Sequence, residues 1–141
     1  MIRVTRRYRF AASHRLHSGR FSEDENRALY GKCNNPYGHG HDYVLDISIV
    51  GPLDIKTGLV ANIQSLDKLI NERILQDFDH RYLNTDVPEF QQLVPTSENI
   101  LRVMKDRLAD QWRLVFPGDF PRLEDIRLRE TRRNYFELKA N

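Results

Sequence analysis

Alternating polar and apolar residues predict two long strands in the N-terminal third of the chain. In residues 2–12 the even-numbered positions are apolar, with Arg6 as the exception. The apolar residues are Ile2, Val4, Tyr8, Phe10 and Ala12. Residues 39–50 alternate in the same way, and the apolar face of this second strand begins with His39 and His41. The polar stretch 13–38 contains several glycines and a proline, so we interpret it as a long loop with a single helical turn.

The spacing of the apolar residues changes to a helical period in the middle of the chain. Residues 62–76 and 97–115 each carry an apolar stripe, and Asn62 is suited to cap the first of these helices. Residues 123–131 and 134–139 return to the two-residue period and are typical of an antiparallel pair. The order strand, strand, helix, helix, strand, strand predicts an α+β fold with a four-stranded antiparallel sheet. Because such a sheet has two unprotected edges, we expect copies of the chain to associate through edge pairing.

Length and composition are typical of one globular domain that spans residues 1–141. Hydrophobic residues make up 40% and charged residues 30% of the chain, and no apolar run is long enough to cross a membrane. The first residues alternate instead of forming the apolar segment of a signal peptide. The one cysteine, Cys33, cannot form an internal disulfide. These features predict a cytoplasmic protein without a membrane partner.

Arginine is concentrated near both ends of the chain, although the formal net charge is only +2. Four arginines lie in the first ten residues and five in the last twenty. Such clusters fit solvated strand faces better than a nucleic-acid surface, so we expect no nucleic-acid partner. Attraction of a polyanionic small molecule, such as a triphosphate ester, is an alternative that charge alone does not separate from the solvated faces.

Three histidines can meet at one end of the predicted strand pair. His39 and His41 are two residues apart on one strand and therefore point to the same side, and His14 continues the apolar parity of the other strand. Three histidines with one open coordination position are typical of a catalytic zinc site. A polar turn that leads into a strand is the alternative interpretation of His-Gly-His. Gly38 and Gly40 favour the metal site, because glycine leaves room for the close approach of a metal or a substrate.

Four further residues carry side chains suited to acid–base chemistry or ligand binding. Cys33 is flanked by polar residues in the loop before His39, and a nearby cation would lower the pKa of its thiol. Asp79 and His80 are candidates for a carboxylate–imidazole pair that activates this cysteine, although adjacent side chains need not meet. Glu130 shares a strand face with apolar residues, so its carboxylate needs a hydrogen-bonding partner. The guanidine-like edge of an amino-pyrimidine, as in a pterin, would satisfy it with two parallel hydrogen bonds.

Six blocks of sequence follow one another along the chain: FAASHRLHS (10–18), LYGKCNNPYGHGHDY (29–43), TGLVANIQSLDKL (57–69), FDHRYLN (78–84), PTSEN (95–99) and RET (129–131). These blocks resemble those of the 6-pyruvoyl-tetrahydropterin synthases, in the same order, and the block that contains the Cys and the His-Gly-His is highly specific. The resemblance implies the tunnelling fold, in which a four-stranded antiparallel sheet carries two helices on one face. It also implies trimers that close their sheets into a barrel and stack in pairs as a homohexamer.

The matching positions imply a metal centre and a general base. His14, His39 and His41 match zinc ligands of the family, and Cys33 matches the base. The implied enzyme is a carbon–oxygen lyase that converts 7,8-dihydroneopterin triphosphate into 6-pyruvoyl-tetrahydropterin and eliminates triphosphate. In the implied reaction zinc acts as a Lewis acid on the side-chain hydroxyls, and Cys33 removes a carbon-bound proton. No redox cofactor is needed, because the oxidation and the reduction occur within the substrate.

The remaining matches concern the activation of the base and the binding of the pterin. Asp79 and His80 match a relay that, in the family, comes from a neighbouring subunit. Glu130 matches the residue that anchors the pterin ring, and Thr96 and Glu98 match a segment that helps to bind it. Basic residues near the strand ends are candidates for contacts with the triphosphate.

Other branches of the superfamily offer alternatives. The 6-carboxy-tetrahydropterin synthases of queuosine biosynthesis share these reactive residues, but they have a shorter segment than residues 34–38, which resemble the pyruvoyl branch. A branch that serves folate synthesis has a glutamate in place of Cys33. A non-catalytic pterin-binding or nucleic-acid-binding module is disfavoured, because every expected reactive group is present. The sequence therefore favours the pyruvoyl activity of tetrahydrobiopterin-type biosynthesis.

Overall fold

A mixed sheet of five strands forms the base of the fold in the computed structural model, which describes residues 1–140. The strands are β1, Ile2–His14; β2, His39–Gly51; β3, Arg81–Tyr82; β4, Arg122–Arg129; and β5, Tyr135–Lys139. They lie in the order β3-β1-β2-β4-β5. The pairs β1–β2, β2–β4 and β4–β5 are antiparallel, whereas β3 is parallel to β1.

The predicted α+β class is confirmed, but the prediction of a four-stranded antiparallel sheet is wrong. The fifth strand, β3, pairs with Ala12 and Ser13 of β1. Two hydrogen bonds next to β3 hold it there: the His80 N–H donates to the Ala11 carbonyl at 2.6 Å, and the Ala11 N–H donates to the Asp79 carboxylate at 2.9 Å. A strand of two residues is too short to show alternation, so the hydrophobic pattern does not reveal it.

The helices are α1, Glu23–Tyr30; α2, Ile63–Ile70; α3, Gln76–Phe78; α4, Leu83–Asp86; and α5, Ser97–Val115. A π-helical turn, Asn71–Leu75, joins α2 to α3. The limits predicted for α5 are confirmed, and α2, the π-helical turn and α3 together cover the predicted helix 62–76. The expectation of only two helices is wrong, because α1 and α4 are additional. Within residues 1–140, none of the helices is long and apolar enough to cross a membrane.

Local capping explains why α1 forms in the segment expected to be mostly loop. The Ser22 hydroxyl accepts a hydrogen bond from the Glu25 N–H at 3.1 Å, and the Glu25 carboxylate accepts one from the Ser22 N–H at 2.9 Å. This reciprocal capping box satisfies two backbone donors at the start of the helix. The buried residue of this helix is the polar Asn26, so no apolar stripe marks α1 in the sequence.

The core lies between one face of the sheet and the helices α2 and α5. Its fully buried members include Tyr43, Leu45, Ile47, Ile126 and Leu128 from the strands and Leu66, Ile70, Met104 and Leu108 from the helices. The opposite face of the sheet carries ion pairs, such as Arg7 with Asp46 and Arg3 with Asp125. The core face is therefore the one whose open end can hold a site between sheet and helix.

Candidate metal centre

Three histidines converge where β1 ends and β2 begins. The register places His14 opposite His39, and His41 follows on the same face of β2. The ring centroids are 4.7 Å apart for His14–His39 and His39–His41 and 5.1 Å apart for His14–His41. We call these three residues the histidine cluster. Strand parity in the sequence anticipates this arrangement, and the role of the three side chains as metal ligands stays a prediction.

The side chain of Glu130, just after β4, completes a group of four possible metal ligands. One nitrogen from each histidine and one carboxylate oxygen of Glu130 all lie within 4.8 Å of one another. Glu130 Oε1 is 3.0 Å from His41 Nε2, but the two are not aligned as a hydrogen bond. His39 Nδ1 and His41 Nε2 are buried without a hydrogen-bond partner among residues 1–140. Because buried polar atoms are normally paired, these nitrogens indicate that a ligand binds here.

The spacing of the His14 and His39 nitrogen atoms fits a tetrahedral zinc ion. His14 Nε2 and His39 Nε2 are 3.2 Å apart. Two nitrogens that each lie about 2.05 Å from zinc at the tetrahedral angle are about 3.3 Å apart. His14 Nδ1 is 2.8 Å from the Pro95 carbonyl oxygen, to which it donates its proton. This contact assigns the tautomer in which His14 Nε2 has a free electron pair for a metal.

Burial favours the uncharged form of two members of the histidine cluster, His14 and His39. Burial, together with the neighbouring His39, lowers the pKa of His14 to about 4, although the hydrogen bond to the Pro95 carbonyl acts in the opposite direction. Burial and then the charge of His41 lower the pKa of His39. Neutral imidazole is the form that binds a metal, so these shifts favour a metal site.

The carboxylate of Glu130 faces two different environments. Oε1 faces the histidine cluster, whereas Oε2 accepts a hydrogen bond from the Ser97 hydroxyl at 2.5 Å. The contact with His41, followed by that with Ser97, lowers the pKa of Glu130 to about 2, although burial acts in the opposite direction. Glu130 is therefore an ionised, inward-facing carboxylate, as the strand pattern predicts; its role in binding a pterin stays a prediction.

The start of α5 places Ser97, rather than Thr96 or Glu98, against Glu130. Thr96 is the N-cap of the helix, and its hydroxyl accepts a hydrogen bond from a backbone N–H at 3.2 Å. Glu98 is exposed in the first turn, whereas Ser97 is buried. Sequence patterns did not single out Ser97, although it continues the buried stripe of α5, and this helical period is the signal that could have found it.

Cys33 lies in the 3-10 turn Gly31–Asn34, within electrostatic range of Glu130. Its carbonyl accepts a hydrogen bond from the Leu16 N–H at 2.8 Å, which fixes the turn against the segment that follows β1. Burial and then the charge of Glu130 raise the pKa of the half-buried thiol. This is opposite to the expected lowering by a cation, because burial disfavours the thiolate and the charge that acts on it is a carboxylate.

Asp79 and His80 lie at the edge of the sheet beside β3. Their side chains do meet, since His80 Nδ1 is 3.0 Å from Asp79 Oδ1. His80 is 82% exposed and has a φ of 59°, a left-handed conformation that is uncommon outside glycine. Among residues 1–140, no hydrogen bond or ion pair joins this pair to Cys33. The contacts within one chain therefore do not connect the predicted relay to the predicted base.

Gly38 is sterically required, whereas Gly40 is not. Gly38 has a φ of 76°, and an added Cβ would lie 2.9 Å from Tyr82 Cε1 and 3.2 Å from the His14 carbonyl oxygen. An added Cβ at Gly40 would meet only the Ala12 carbonyl oxygen at 3.7 Å, which is an ordinary contact. The space beside Gly38 is thus filled by protein atoms, which corrects the expectation that Gly38 makes room for a metal or a substrate; for Gly40 the expectation stays a prediction.

A family model, curated relatives and a solved structure identify the family of the chain. Residues 3–141 match the family model described as 6-pyruvoyl tetrahydropterin synthase. The chain is 44% identical over 131 residues to the 6-pyruvoyl tetrahydrobiopterin synthase of Poecilia reticulata, covering 93% of this chain and 85% of that protein. It is 47% identical over 105 residues to that of Homo sapiens, covering 74% and 72%. The solved structure of Caenorhabditis elegans 6-pyruvoyl tetrahydropterin synthase matches with a TM-score of 0.88 at 36% identity, covering 98% of this chain and 94% of that chain.

Proposed function

Because the chain belongs to the 6-pyruvoyl tetrahydropterin synthase family, we propose that it converts 7,8-dihydroneopterin triphosphate into 6-pyruvoyl-tetrahydropterin. The observation that carries the proposal is the convergence of the histidine cluster with the ionised Glu130. A metal centre beside an inward carboxylate suits a substrate with side-chain hydroxyls at one end and an amino-pyrimidine at the other. The reaction class that follows is a carbon–oxygen lyase that eliminates triphosphate.

We propose zinc as the metal, held by His14, His39 and His41. Three imidazoles, two of which have nitrogen atoms at tetrahedral spacing, are a donor set that zinc prefers, and they leave a fourth position for the substrate. Bound zinc would supply Lewis-acid polarisation of the substrate hydroxyls. The Pro95 carbonyl holds the His14 ring in the orientation that this ligand role requires.

Glu130 is proposed to orient the pterin. Its negative charge and two oxygens suit the paired N–H donors of an amino-pyrimidine edge, which would then lie next to the histidine cluster. Ser97 restricts the rotation of the carboxylate by donating to Oε2. Thr96 acts mainly as the helix cap in this arrangement, and the exposed Glu98 is left as a candidate for contacts farther from the ring.

Cys33 is proposed as the base that removes the carbon-bound proton. Its raised pKa means that the thiolate needs stabilisation by further groups, because burial and the charge of Glu130 both disfavour a second negative charge here. Asp79 and His80 are suited to take up the thiol proton, and we propose that they come from a second copy of the chain. Triphosphate then leaves, and tautomerisation redistributes the remaining hydrogens within the substrate.

Metal analysis together with product analysis tests the proposed function. Purified protein should contain close to one zinc per chain and should form 6-pyruvoyl-tetrahydropterin and inorganic triphosphate from 7,8-dihydroneopterin triphosphate. If 6-carboxy-tetrahydropterin and acetaldehyde were the main products, the carboxy activity of queuosine biosynthesis would replace the proposed one. Protein that is free of zinc and stays so after dialysis against the metal would contradict the metal assignment.

Mixed oligomers test whether the relay comes from another copy. In the proposed homohexamer, a Cys33→Ala chain and a His80→Ala chain are each inactive alone, but some sites in a mixture combine an intact Cys33 with an intact His80. Refolding the two variants together should therefore restore part of the activity. Absence of restored activity in mixed hexamers would place the relay within one chain.

The one-domain organisation and the cytoplasmic location stay predictions.

A further inference from the structure

The hydroxyl of Tyr43 is a buried polar group that the proposed function does not use. Tyr43 is 1% exposed, and its Oη has no hydrogen-bond partner among residues 1–140. Leaving a buried hydroxyl unpaired costs free energy that a phenylalanine in the same place would avoid. The sequence assigns Tyr43 to the apolar face of β2, where its ring alone would suffice for packing. Packing in the core therefore does not explain why this residue carries a hydroxyl.

The ring of Tyr43 lies next to the candidate site. Its ring stacks on Phe10 at a centroid distance of 4.8 Å and an interplanar angle of 12°. The centroid of its ring is 5.5 Å from that of His41 and 6.4 Å from that of His14. Tyr43 thus forms the next layer of side chains beneath the histidine cluster.

The strand register also brings Tyr43 next to Glu130. Val44 pairs with Arg129, so the residues before and after them, Tyr43 and Glu130, are cross-strand neighbours on the core face. Glu130 in turn lies 3.0 Å from His41. The hydroxyl contacts neither of them directly. Tyr43 therefore lies beside the proposed pterin anchor and beneath the histidine cluster, with its hydroxyl unpaired.

We propose that the Tyr43 hydroxyl is a further substrate-contacting residue, which donates a hydrogen bond to an oxygen of the substrate's polyol side chain. This inference rests on the proposed function. Removal of a carbon-bound proton next to a hydroxyl or carbonyl increases the negative charge on that oxygen, and a preorganised neutral donor stabilises this charge. The donor keeps its own proton, so the step needs no additional acid.

Tyr43→Phe tests the proposal, because it removes only the hydroxyl and preserves the stacking on Phe10. Tyr8→Phe is the matched control: its hydroxyl is partly buried but donates to Asp67 Oδ1 at 2.7 Å, away from the histidine cluster. Tyr43→Phe should keep the zinc content, reach a Tm at or above that of the wild type because the unpaired hydroxyl is removed, and lower kcat/KM by about 100-fold, mainly through kcat. Tyr8→Phe should lower the Tm and leave kcat/KM unchanged.

A Tyr43→Phe enzyme with kcat/KM within twofold of the wild type would overturn the proposal. So would a loss of zinc and of thermal stability that accounts for the whole decrease in activity. If the wild type itself does not turn over 7,8-dihydroneopterin triphosphate, the proposed function fails. The role of Tyr43 is then tested by measuring the Kd for neopterin by fluorescence titration. A Kd raised about tenfold in Tyr43→Phe would then support the contact, whereas an equal Kd, or no binding by either protein, would refute it.

Discussion

At the scale of single residues, Glu130 occupies the most informative position in the site. Its Oε1 lies among the histidine nitrogens, so the same carboxylate is a candidate for a fourth metal ligand and for a pterin anchor. The proposed function assigns the second role, because three histidines already leave the open position of a catalytic zinc site. Removing the charge of Glu130 would weaken metal binding in the first role and pterin binding in the second.

Glu130→Gln should therefore retain zinc and lose affinity for a pterin. The substitution preserves the shape and one carbonyl acceptor, but it replaces a charge-assisted pair of hydrogen bonds worth about 1.5–3 kcal/mol. We expect the Kd for neopterin to rise about 10-fold to 100-fold, with zinc per chain unchanged. The measurement combines fluorescence titration with elemental analysis. Loss of zinc with unchanged neopterin affinity would assign Glu130 to the metal instead.

Thr96 and Ser97 are adjacent residues with different predicted effects. Thr96→Ala removes the N-cap hydrogen bond of α5 and should destabilise the fold by about 1 kcal/mol with little change in pterin affinity. Ser97→Ala removes the hydrogen bond to Glu130 and should weaken neopterin binding about threefold to tenfold. Thermal unfolding and fluorescence titration separate the two. A larger affinity loss for Thr96→Ala than for Ser97→Ala would restore the role that sequence similarity gives to Thr96.

At the scale of elements, the elements long enough to show a regular hydrophobic pattern were predictable from the sequence. The short elements were not. The strand alternation of β1 and β2 continues for 13 residues each, which fixes the parity that brings the histidines together. The π-helical turn is hidden because Ile70 and Ile74 keep the spacing of an ordinary helix. Ser97 was predictable from the period of α5, but the unpaired hydroxyl of Tyr43 depends on neighbours distant in sequence. Hydrogen-bond satisfaction is a property of the packed structure and leaves no pattern in the chain.

Arg107 connects several of these short elements to α5. It donates two hydrogen bonds to the Glu89 carboxylate, at 2.8 and 2.9 Å, and one each to Asp77 at 2.6 Å and to the Arg73 carbonyl of the π-helical turn at 3.0 Å. The guanidinium group is largely buried and lies against the Phe78 ring. This one side chain therefore holds the connection between α2 and α5 in place.

The pairing of Glu89 with Arg107 predicts a pH-dependent contribution to stability. The hydrogen bonds from Arg107 lower the pKa of Glu89 from its ordinary value of 4.5. A lowered folded-state pKa means that the contribution is present above the unfolded-state value and is lost as the pH falls through the folded-state value. Glu89→Gln should cost about 1 kcal/mol at pH 7, since the carboxylate is partly exposed, and progressively less in acid. Thermal unfolding of both proteins from pH 7 down to pH 3 checks this. A difference in Tm that is constant with pH would contradict it.

At the scale of the whole molecule, the proposed reactive groups are divided between two regions of the sheet. The histidine cluster, Glu130 and Cys33 lie at the end of the core face, whereas His80 is exposed at the edge beside β3. β3 covers only two residues of β1, so most of that edge of the sheet is open to pairing. Both features favour an assembly in which the edge of one copy completes the site of another.

Zinc should stabilise the whole fold, because its proposed ligands come from both long strands. A ligand that binds only the folded state adds about 2.7 kcal/mol of stability at 100 times its Kd. For a chain of this length that corresponds to an increase in Tm of roughly 5–15 °C over protein treated with a chelator. His39→Ala should abolish the increase, whereas His17→Ala is the control, because His17 contacts Asn34 and lies outside the histidine cluster. Differential scanning calorimetry at several zinc concentrations makes the measurement. An equal increase in His39→Ala and in the wild type would show that zinc stabilises the protein from another site.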